Sequence, residues 1–517
     1  MRIRGILPML VVSMMVLTPL SLANHEGGSA LLASPEPSMS QAENVSGWAS
    51  AGGASYERVS AMVPLPNGSM LVGGLFEQNV EFHGDVIGFS SDDSSFGVDF
   101  FLGWLDENGT WTGTVAGTSS GLDGIEAMDR TSDGTVIIAG TFCDMTKGDA
   151  CNMTLGELPP VNKSADEHEN GVFVAGMTPA GEWMWATSLS NPYQLSVIDM
   201  MVGPNDEVHL AVLHRDSLTS GDELAPGSVS EDSIAVLVLD STGNHLHMHT
   251  VFSSQNLENI GSLCSDYSGQ TYLATSFLEL VSFGDHELTS SGGTHVAVAQ
   301  YNSGGWLWAK SAGGTSDASA TDCDGRHDGG VAVVGDFLQN MTFGDLEIGP
   351  SVWVDFYEAH ISDQGEWLHA TGFGGGAADH AAAIHITEQG DSLILGKTTG
   401  TLVLGEYTLT DIDGKNDGNH HDLFLGRRQA NSTWDWAIAA GGGGDDLPDS
   451  LSMSATGSPV ISFISNSDGT YGAHAFVQRD HYDMGVWLYE TVLDLDGVLD
   501  GLDNCPKLAN SDQANLD

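Results

Sequence analysis

The sequence predicts an all-β protein: a seven-unit β-propeller of about four short strands per blade, followed by an irregular acidic calcium-binding segment. Three observations lead to this prediction. Short alternating apolar segments recur seven times behind glycine- or asparagine-type turns. A strand–turn–tryptophan segment recurs in the same phase. The acidic run after residue 493 differs in composition from everything before it.

The N-terminus has the pattern of a secretory signal peptide, residues 1–23. Two arginines precede an apolar stretch, and Ala23 completes a small-x-small cleavage site. The alternative is an uncleaved membrane anchor, which is disfavoured because the apolar run is short and Pro19 interrupts its end. Beyond this segment we expect no transmembrane segment, and we expect a secreted or cell-surface protein. Residues 24–46 are interpreted as a flexible leader.

The charge of the chain restricts its partners. There are 70 acidic residues against 15 basic ones, a formal net charge of -55. Nucleic acid is therefore excluded as an expected partner, because phosphate binding needs Lys and Arg. The negative charge favours solubility and attracts cations. A hydrophobic content of 41% argues against global disorder.

The repeats cover residues 47–490. The turn-and-strand segments begin at Asn67, Asp133, Asn205, Ser268, Asp328, Gln389 and Thr456. The tryptophan position recurs, at intervals of roughly 60 to 75 residues, at Trp48, Trp111, Trp185, His249, Trp308, His369 and Trp436. A third segment lies between the two, at Val80, Met153, Val281, Met341 and Leu402, with a vague counterpart near Leu224. The seventh unit is expected to lack it.

Four strands per unit suit the blades of a propeller, and a closed ring leaves only short, protected strand edges. An open solenoid or a string of small sandwiches is the alternative. The repeats resemble those of secreted bacterial and archaeal β-propeller repeat proteins, and the closest copy runs from Thr275 to Gly314. The resemblance extends over about residues 48–490. It implies the fold and an exported location, and it does not imply an enzyme.

The five cysteines are disulfide candidates in an exported protein. Cys143 and Cys151 close a short loop and are expected to pair. Cys264 and Cys323 lie just before the same turn in units four and five. A disulfide between neighbouring blades and two separately buried thiols both remain open for them. Cys505 is left over.

Other side chains have competing interpretations. The recurrent tryptophans are interpreted as packing between blades, with sugar stacking as the alternative. His420, His421 and Asp422 suggest a transition-metal site, but surface turn residues are the preferred interpretation. The acidic loop from Thr410 is interpreted as a solvated hairpin turn, with calcium binding as the alternative.

The segment 491–517 carries the strongest local motif, DLDGVLDGLDNCPKLANSDQANLD from Asp494. Ca²⁺ takes six to eight oxygen ligands, which an acidic loop with a glycine turn supplies. The expected ligands are Asp494, Asp496, the Val498 carbonyl, Asp500, Asp503, Asn510 and Asp512. The motif resembles a partial thrombospondin type 3 repeat, which implies calcium binding and adhesion-like roles. Val492 departs from that pattern and is expected to weaken the first site.

An acidic disordered tail is the alternative for this segment. The motif stops at Asp517, where a further acidic repeat would begin, so additional C-terminal domains are expected in a longer protein.

The first functional hypothesis is an exported or cell-surface, calcium-binding, non-enzymatic interaction or adhesion protein. Its propeller would bind an unknown protein or carbohydrate, and its calcium repeat would form a stiff stalk. The alternative is a secreted polysaccharide hydrolase or lyase with its site at the central face. The sequence has no nucleophile elbow G-x-S-x-G in a strand–helix context and no phosphate-binding Gly-Lys-Ser/Thr motif. Charged groups converging on the axis would favour the enzyme, whereas small and apolar residues there would count against it.

Overall fold

The computed structural model describes residues 46–490, apart from 53–56, 78, 83–84, 89–97, 118, 120, 145–150, 164–170, 190, 192–193, 229, 256, 258–260, 413–417, 419, 473 and 479–481. Over these residues the chain forms 42 strands and no helix. The described part therefore contains no helix that is long and apolar enough to span a membrane. The predicted signal peptide, most of the leader and the acidic C-terminal segment lie outside the described residues.

The strands follow one another in seven blades. The chain begins with β1 (Ser46–Gly52). Blade one contains β2 (Glu57–Pro64), β3 (Met70–Glu77), the hairpin β4 (Asn79–Phe82) and β5 (Asp85–Gly88), β6 (Val98–Leu105) and β7 (Trp111–Gly117). Blade two contains β8 (Leu122–Arg130), β9 (Val136–Asp144), β10 (Cys151–Met153), β11 (Val161–Lys163), β12 (Gly171–Met177) and β13 (Trp183–Leu189). Blade three contains β14 (Gln194–Val202), β15 (Val208–Arg215), β16 (Leu218–Ser220), β17 (Glu223–Ala225), β18 (Ser233–Leu239) and β19 (His245–Ser253).

The second half repeats the same order. Blade four contains β20 (Ser262–Ser265), β21 (Thr271–Phe277), β22 (Leu280–Phe283), β23 (His286–Thr289), β24 (His295–Asn302) and β25 (Gly305–Gly314). Blade five contains β26 (Asp322–Gly325), β27 (Val331–Phe337), β28 (Met341–Phe343), β29 (Leu346–Ile348), β30 (Asp355–Ile361) and β31 (Trp367–Gly375). Blade six contains β32 (Asp379–Ile386), β33 (Ser392–Thr398), β34 (Leu402–Leu404), β35 (Tyr407–Leu409), β36 (Asp422–Arg428) and β37 (Trp434–Gly442). Blade seven contains β38 (Asp446–Met453), β39 (Pro459–Ser465), β40 (Gly469–Tyr471), β41 (His474–Phe476) and β42 (Asp483–Glu490).

Each blade is an antiparallel sheet of four main strands, and the first strand of each blade lies innermost. The small hairpins of blades four to seven pair with the outer strand of the preceding blade, which extends blades three to six to six strands. The predicted seven-blade propeller is therefore confirmed, and each blade has between four and six strands.

The ring is closed by the two ends of the chain. β1 supplies the outer strand of blade seven and pairs antiparallel with β42, from Ser46 opposite Glu490 to Gly52 opposite Met484. The segment around Trp48 thus completes the last blade. This pairing covers the edge of β42, which would otherwise offer unpaired backbone groups.

The first hairpin of each blade turns where the sequence predicts. Six of these turns place a glycine at positive φ: Gly68, Gly134, Gly269, Gly329, Gly390 and Gly457. Asp206 takes the same role in blade three, at φ 60. A residue without a Cβ enters this region without steric cost, and Asp tolerates it better than most residues.

The hydrophobic core lies between the blades. Each of seven clusters of buried side chains combines residues from two neighbouring blades, and one of them joins blade seven to blade one. The recurrent tryptophans whose side chains are described, Trp111, Trp185, Trp308 and Trp436, belong to this packing, as predicted. Trp111 and Trp436 are buried, and the Trp308 Nε1–H donates to the Asp363 carbonyl in the next blade at 3.0 Å. A Cβ on Gly243 of blade three would lie 2.5 Å from the Trp185 ring of blade two.

One expectation about the repeats was wrong. The seventh unit does have the small hairpin, β40–β41, whose Tyr471 and Phe476 side chains are buried.

The cysteine predictions are resolved by two disulfides. Cys143 pairs with Cys151, as expected, and Cys264 pairs with Cys323, linking blades four and five.

Candidate functional site: the axial cavity

A cavity of about 470 Å³ lies on the propeller axis and is lined by the innermost strands of all seven blades. Volumes of this order are typical of small-molecule sites. The cavity is open to solvent and mainly polar.

The same backbone irregularity, a β-bulge, places side chains in this cavity in five of the seven blades. A β-bulge leaves one extra residue in five innermost strands: Ser60, Glu126, Ile198, Ala382 and Asp449. Gly261 and Thr321, just before β20 and β26, take the corresponding positions in blades four and five. All seven residues line the cavity. A bulge redirects a side chain, and here it does so in five of the seven blades.

Three charged groups occupy one side of the cavity. The Arg58 Nε donates to Asp449 Oδ1 at 2.7 Å, and the Asp449 side chain is 2% exposed. Burial raises the pKa of Asp449, and the charge of Arg58 opposes that rise. Burial raises the pKa of Glu126 to about 7, again against the charge of Arg58. The nearest hydrogen-bond partner of Glu126 is the Thr141 hydroxyl, at 3.5 Å.

Asp199 and Asp322 also line the cavity, where they join neighbouring blades. Asp199 Oδ2 accepts from the Ser262 hydroxyl and the Leu263 N–H, both at 2.8 Å. Asp322 Oδ2 accepts from the Ile384 N–H at 2.9 Å. Burial raises the pKa of Asp199 to about 6 and that of Asp322 to about 7, and repulsion between the two carboxylates adds to the rise for Asp322.

The cavity thus carries one guanidinium and four carboxyl groups among small residues such as serine, alanine and glycine. An anionic ligand would meet net repulsion there. A neutral ligand rich in hydroxyl groups, or a cationic one, would find hydrogen-bond acceptors on several sides.

The residues singled out from the sequence lie elsewhere. The predicted calcium ligands from Asp494 to Asp512 are outside the described residues. His421 is bound to Asp445, with 3.0 Å between Nδ1 and Oδ1, and His420 is exposed. Among the described residues, no group of three or more His, Cys, Asp and Glu is arranged to hold a metal ion. The acids of the cavity were missed because nothing in the sequence separates them from the other acidic residues.

No protein-family model and no curated protein matches this sequence. Solved structures with some similarity include a protein of unknown function from Bacteroides caccae, with 9% identity, 70% of this chain and 78% of that chain covered, and a TM-score of 0.27. A second protein of unknown function, from Dyadobacter fermentans, has 11% identity, 85% and 98% coverage and a TM-score of 0.32. Sqt1 from Chaetomium thermophilum has 10% identity, 84% and 96% coverage and a TM-score of 0.36. At this level of similarity none of them assigns a function to this chain.

Proposed function

We propose that this is an exported or cell-surface interaction protein without enzymatic activity, which binds a neutral carbohydrate or a protein in its axial cavity. In this proposal the segment after residue 493 binds Ca²⁺ and forms a stiff spacer. Two disulfides support an oxidising location.

One observation carries the non-enzymatic assignment: most charged groups in the cavity are already engaged with the protein. Arg58 is paired with Asp449, and Asp199 and Asp322 accept backbone N–H groups of the next blade. Their carboxylates therefore hold blades together. The remaining lining consists largely of small side chains, which leave room for a ligand.

Glu126 favours a second candidate, a glycoside hydrolase. Its carboxyl group has a pKa raised to about 7 by burial, which suits a general acid at neutral pH. A second carboxyl group, Asp449, lines the same cavity, and glycosidases use such pairs.

Both candidates can be tested on the full chain with an array of neutral oligosaccharides. For each glycan bound, the dissociation constant is compared between the wild type and Ala382→Phe, which adds a phenyl ring at a bulge position of the cavity. A loss of at least about tenfold is expected. Ala430→Phe, in an exposed turn, is the matched control and should bind like the wild type.

Equal affinity of the wild type and Ala382→Phe would contradict the axial site. The absence of any bound glycan would contradict the carbohydrate ligand class and leave a protein ligand. Cleavage of a bound glycan that is abolished by Glu126→Gln would replace the proposal with the hydrolase.

A further inference from the structure

Pairs of acidic residues recur at the junctions between blades, away from the axial cavity. In each pair, one aspartate lies at the start of the third main strand of a blade and the other at the start of the innermost strand of the next. The pairs are Asp99 with Asp123, Asp355 with Asp379, and Asp422 with Asp446. The three junctions are equivalent, because each of Asp99, Asp355 and Asp422 is paired across the sheet with one of the last two residues of the second strand of its own blade.

These carboxyl groups are buried. Asp379 and Asp446 are 0% exposed, Asp123 is 2% exposed and Asp99 is 4% exposed. Asp355 is half-buried. Among the described residues, Asp99, Asp123, Asp355 and Asp379 form no salt bridge with Lys or Arg. A buried carboxylate is costly unless hydrogen bonds, an opposite charge or a metal ion compensates it.

The two acids of each pair are close together. Asp99 and Asp123 are near enough to hydrogen-bond to each other, and burial raises the pKa of each to about 7. Burial likewise raises the pKa of Asp379 to about 6, and the charge of Asp355 adds to the rise.

The third pair faces across a glycine. A Cβ on Gly441 would lie 2.3 Å from Asp422 Oδ1 and 2.6 Å from Asp446 Oδ2. At the preceding junction, a Cβ on Gly374 would lie 2.2 Å from Asp355 Oδ1. At both places the glycine lets the backbone approach the carboxylates closely.

Several of these buried oxygens have no hydrogen-bond partner. They are both oxygens of Asp379, Oδ2 of Asp123 and Oδ1 of Asp355. The Thr398 hydroxyl and the Gly375 N–H lie close enough to Asp379 to favour its charged form, but neither reaches it with normal hydrogen-bond geometry. Unpartnered buried carboxylate oxygens beside a second carboxyl group are suited to a hard cation. The third pair differs, because both oxygens of Asp446 are hydrogen-bonded: Oδ1 accepts from the Tyr471 hydroxyl and Oδ2 from the Gly442 N–H at 2.8 Å.

We propose that the Asp99–Asp123 and Asp355–Asp379 pairs bind divalent cations, preferentially Ca²⁺, and that each ion joins two neighbouring blades. Each pair supplies carboxylate oxygens from both blades. Backbone carbonyls, hydroxyl groups and water complete the six to eight oxygen ligands that Ca²⁺ requires. These sites are separate from both the axial cavity and the acidic C-terminal segment, so their existence can be tested independently of the proposed function.

The test is calorimetric titration of the calcium-depleted full chain with CaCl₂, together with the calcium-induced shift in Tm. Asp123→Asn and Asp379→Asn are each expected to bind one ion fewer than the wild type and to show a smaller calcium-induced rise in Tm. Asp317→Asn is the matched control. Asp317 is an exposed acid at the junction of blades four and five that accepts the Thr294 N–H at 2.9 Å, and its loss should leave the stoichiometry unchanged.

The proposal is overturned if both variants bind as many Ca²⁺ ions as the wild type, since the pairs would then share a proton instead. A second measurement, on the wild type, does not depend on the folding of the variants. Crystals grown with TbCl₃ should show anomalous peaks between the paired carboxylates at both junctions. Crystals with no peak at either junction would also overturn the proposal.

Discussion

Replacing Glu358 by glutamine is expected to lower the free energy of unfolding by about 3 kcal/mol at pH 7. Glu358 lies in β30 of blade five and is fully buried. Its Oε2 accepts from Arg428 Nη1 of blade six at 2.5 Å, and its Oε1 bonds to His360 Nε2 at 2.8 Å and to the Ser392 hydroxyl. The substitution keeps the shape of the side chain but removes the charge that compensates Arg428, which is itself buried.

The magnitude follows from the pKa of Glu358. Burial by itself would raise this pKa, but the hydrogen bond with His360 and the charge of Arg428 outweigh burial and lower it from 4.5 to about 2. Each pKa unit corresponds to about 1.4 kcal/mol, so the charged form contributes about 3 kcal/mol to stability. Because the folded pKa is depressed, this contribution is fully present above pH 4.5 and is lost as the pH falls towards 2.

The assay is urea unfolding of the wild type and Glu358→Gln at a series of pH values. The difference in unfolding free energy should be largest near neutral pH and should shrink between pH 4.5 and 2. Asp328→Asn is the control. It removes a salt bridge of 2.6 Å to Arg326, but Asp328 is 68% exposed, so the expected cost is below about 1 kcal/mol. Equal costs for the two variants, or a difference for Glu358→Gln that does not change with pH, would refute the reasoning.

Three further predictions concern separate features. Cys264→Ser should lower the free energy of unfolding by about 4 kcal/mol and Cys143→Ser by about 2.5 kcal/mol, because the lost disulfides span 59 and 8 residues and the longer loop gains more entropy in the unfolded chain. Equal decreases for the two variants, measured by urea unfolding, would contradict this argument. Gly426→Ala should lower the free energy of unfolding by about 1 to 3 kcal/mol, because its Cβ would lie 2.6 Å from a tryptophan ring. Gly376→Ala has open space around its Cβ and should leave the free energy of unfolding nearly unchanged in the same assay. Asp500→Asn should reduce the number of calcium ions bound in calorimetry without changing the urea midpoint; an unchanged ion count would contradict the predicted ligand set.

The number of blades could be predicted because each blade repeats the same local signals. A glycine or aspartate turn joins the first two strands, and an aromatic ring at the start of an outer strand packs against a neighbouring blade. The seventh small hairpin was missed because its sequence begins with Gly469 where the other copies have an apolar residue, and has Tyr471 where they have Phe or Leu. It retains the turn glycine Gly472, at φ 59, and the two buried aromatic residues Tyr471 and Phe476, which are too few to identify it.

The axial site could not be predicted for a different physical reason. Glu126 and Asp449 reach the cavity because each occupies a bulge in an innermost strand. A one-residue change of register moves a side chain to the other face of a sheet, so the position of the bulge decides which acid faces the axis. That position depends on pairing with the second strand. Among 70 acidic residues, the sequence alone does not distinguish these two.

Neighbouring blades of this ring are held together by different kinds of bond, and the strength of each kind depends on a different solution condition. The Cys264–Cys323 disulfide joins blades four and five, and the Glu358–Arg428 ion pair joins blades five and six. The first bond depends on the redox potential and the second on pH. If the Asp99–Asp123 and Asp355–Asp379 pairs bind Ca²⁺, the junction of blades one and two and that of blades five and six also depend on the same ion as the proposed spacer after residue 493. Chelation would then loosen those junctions and the spacer together but leave the disulfide junction intact. Partial loss of protection from hydrogen exchange, confined to the strand starts at the acid-pair junctions, is the expected signature.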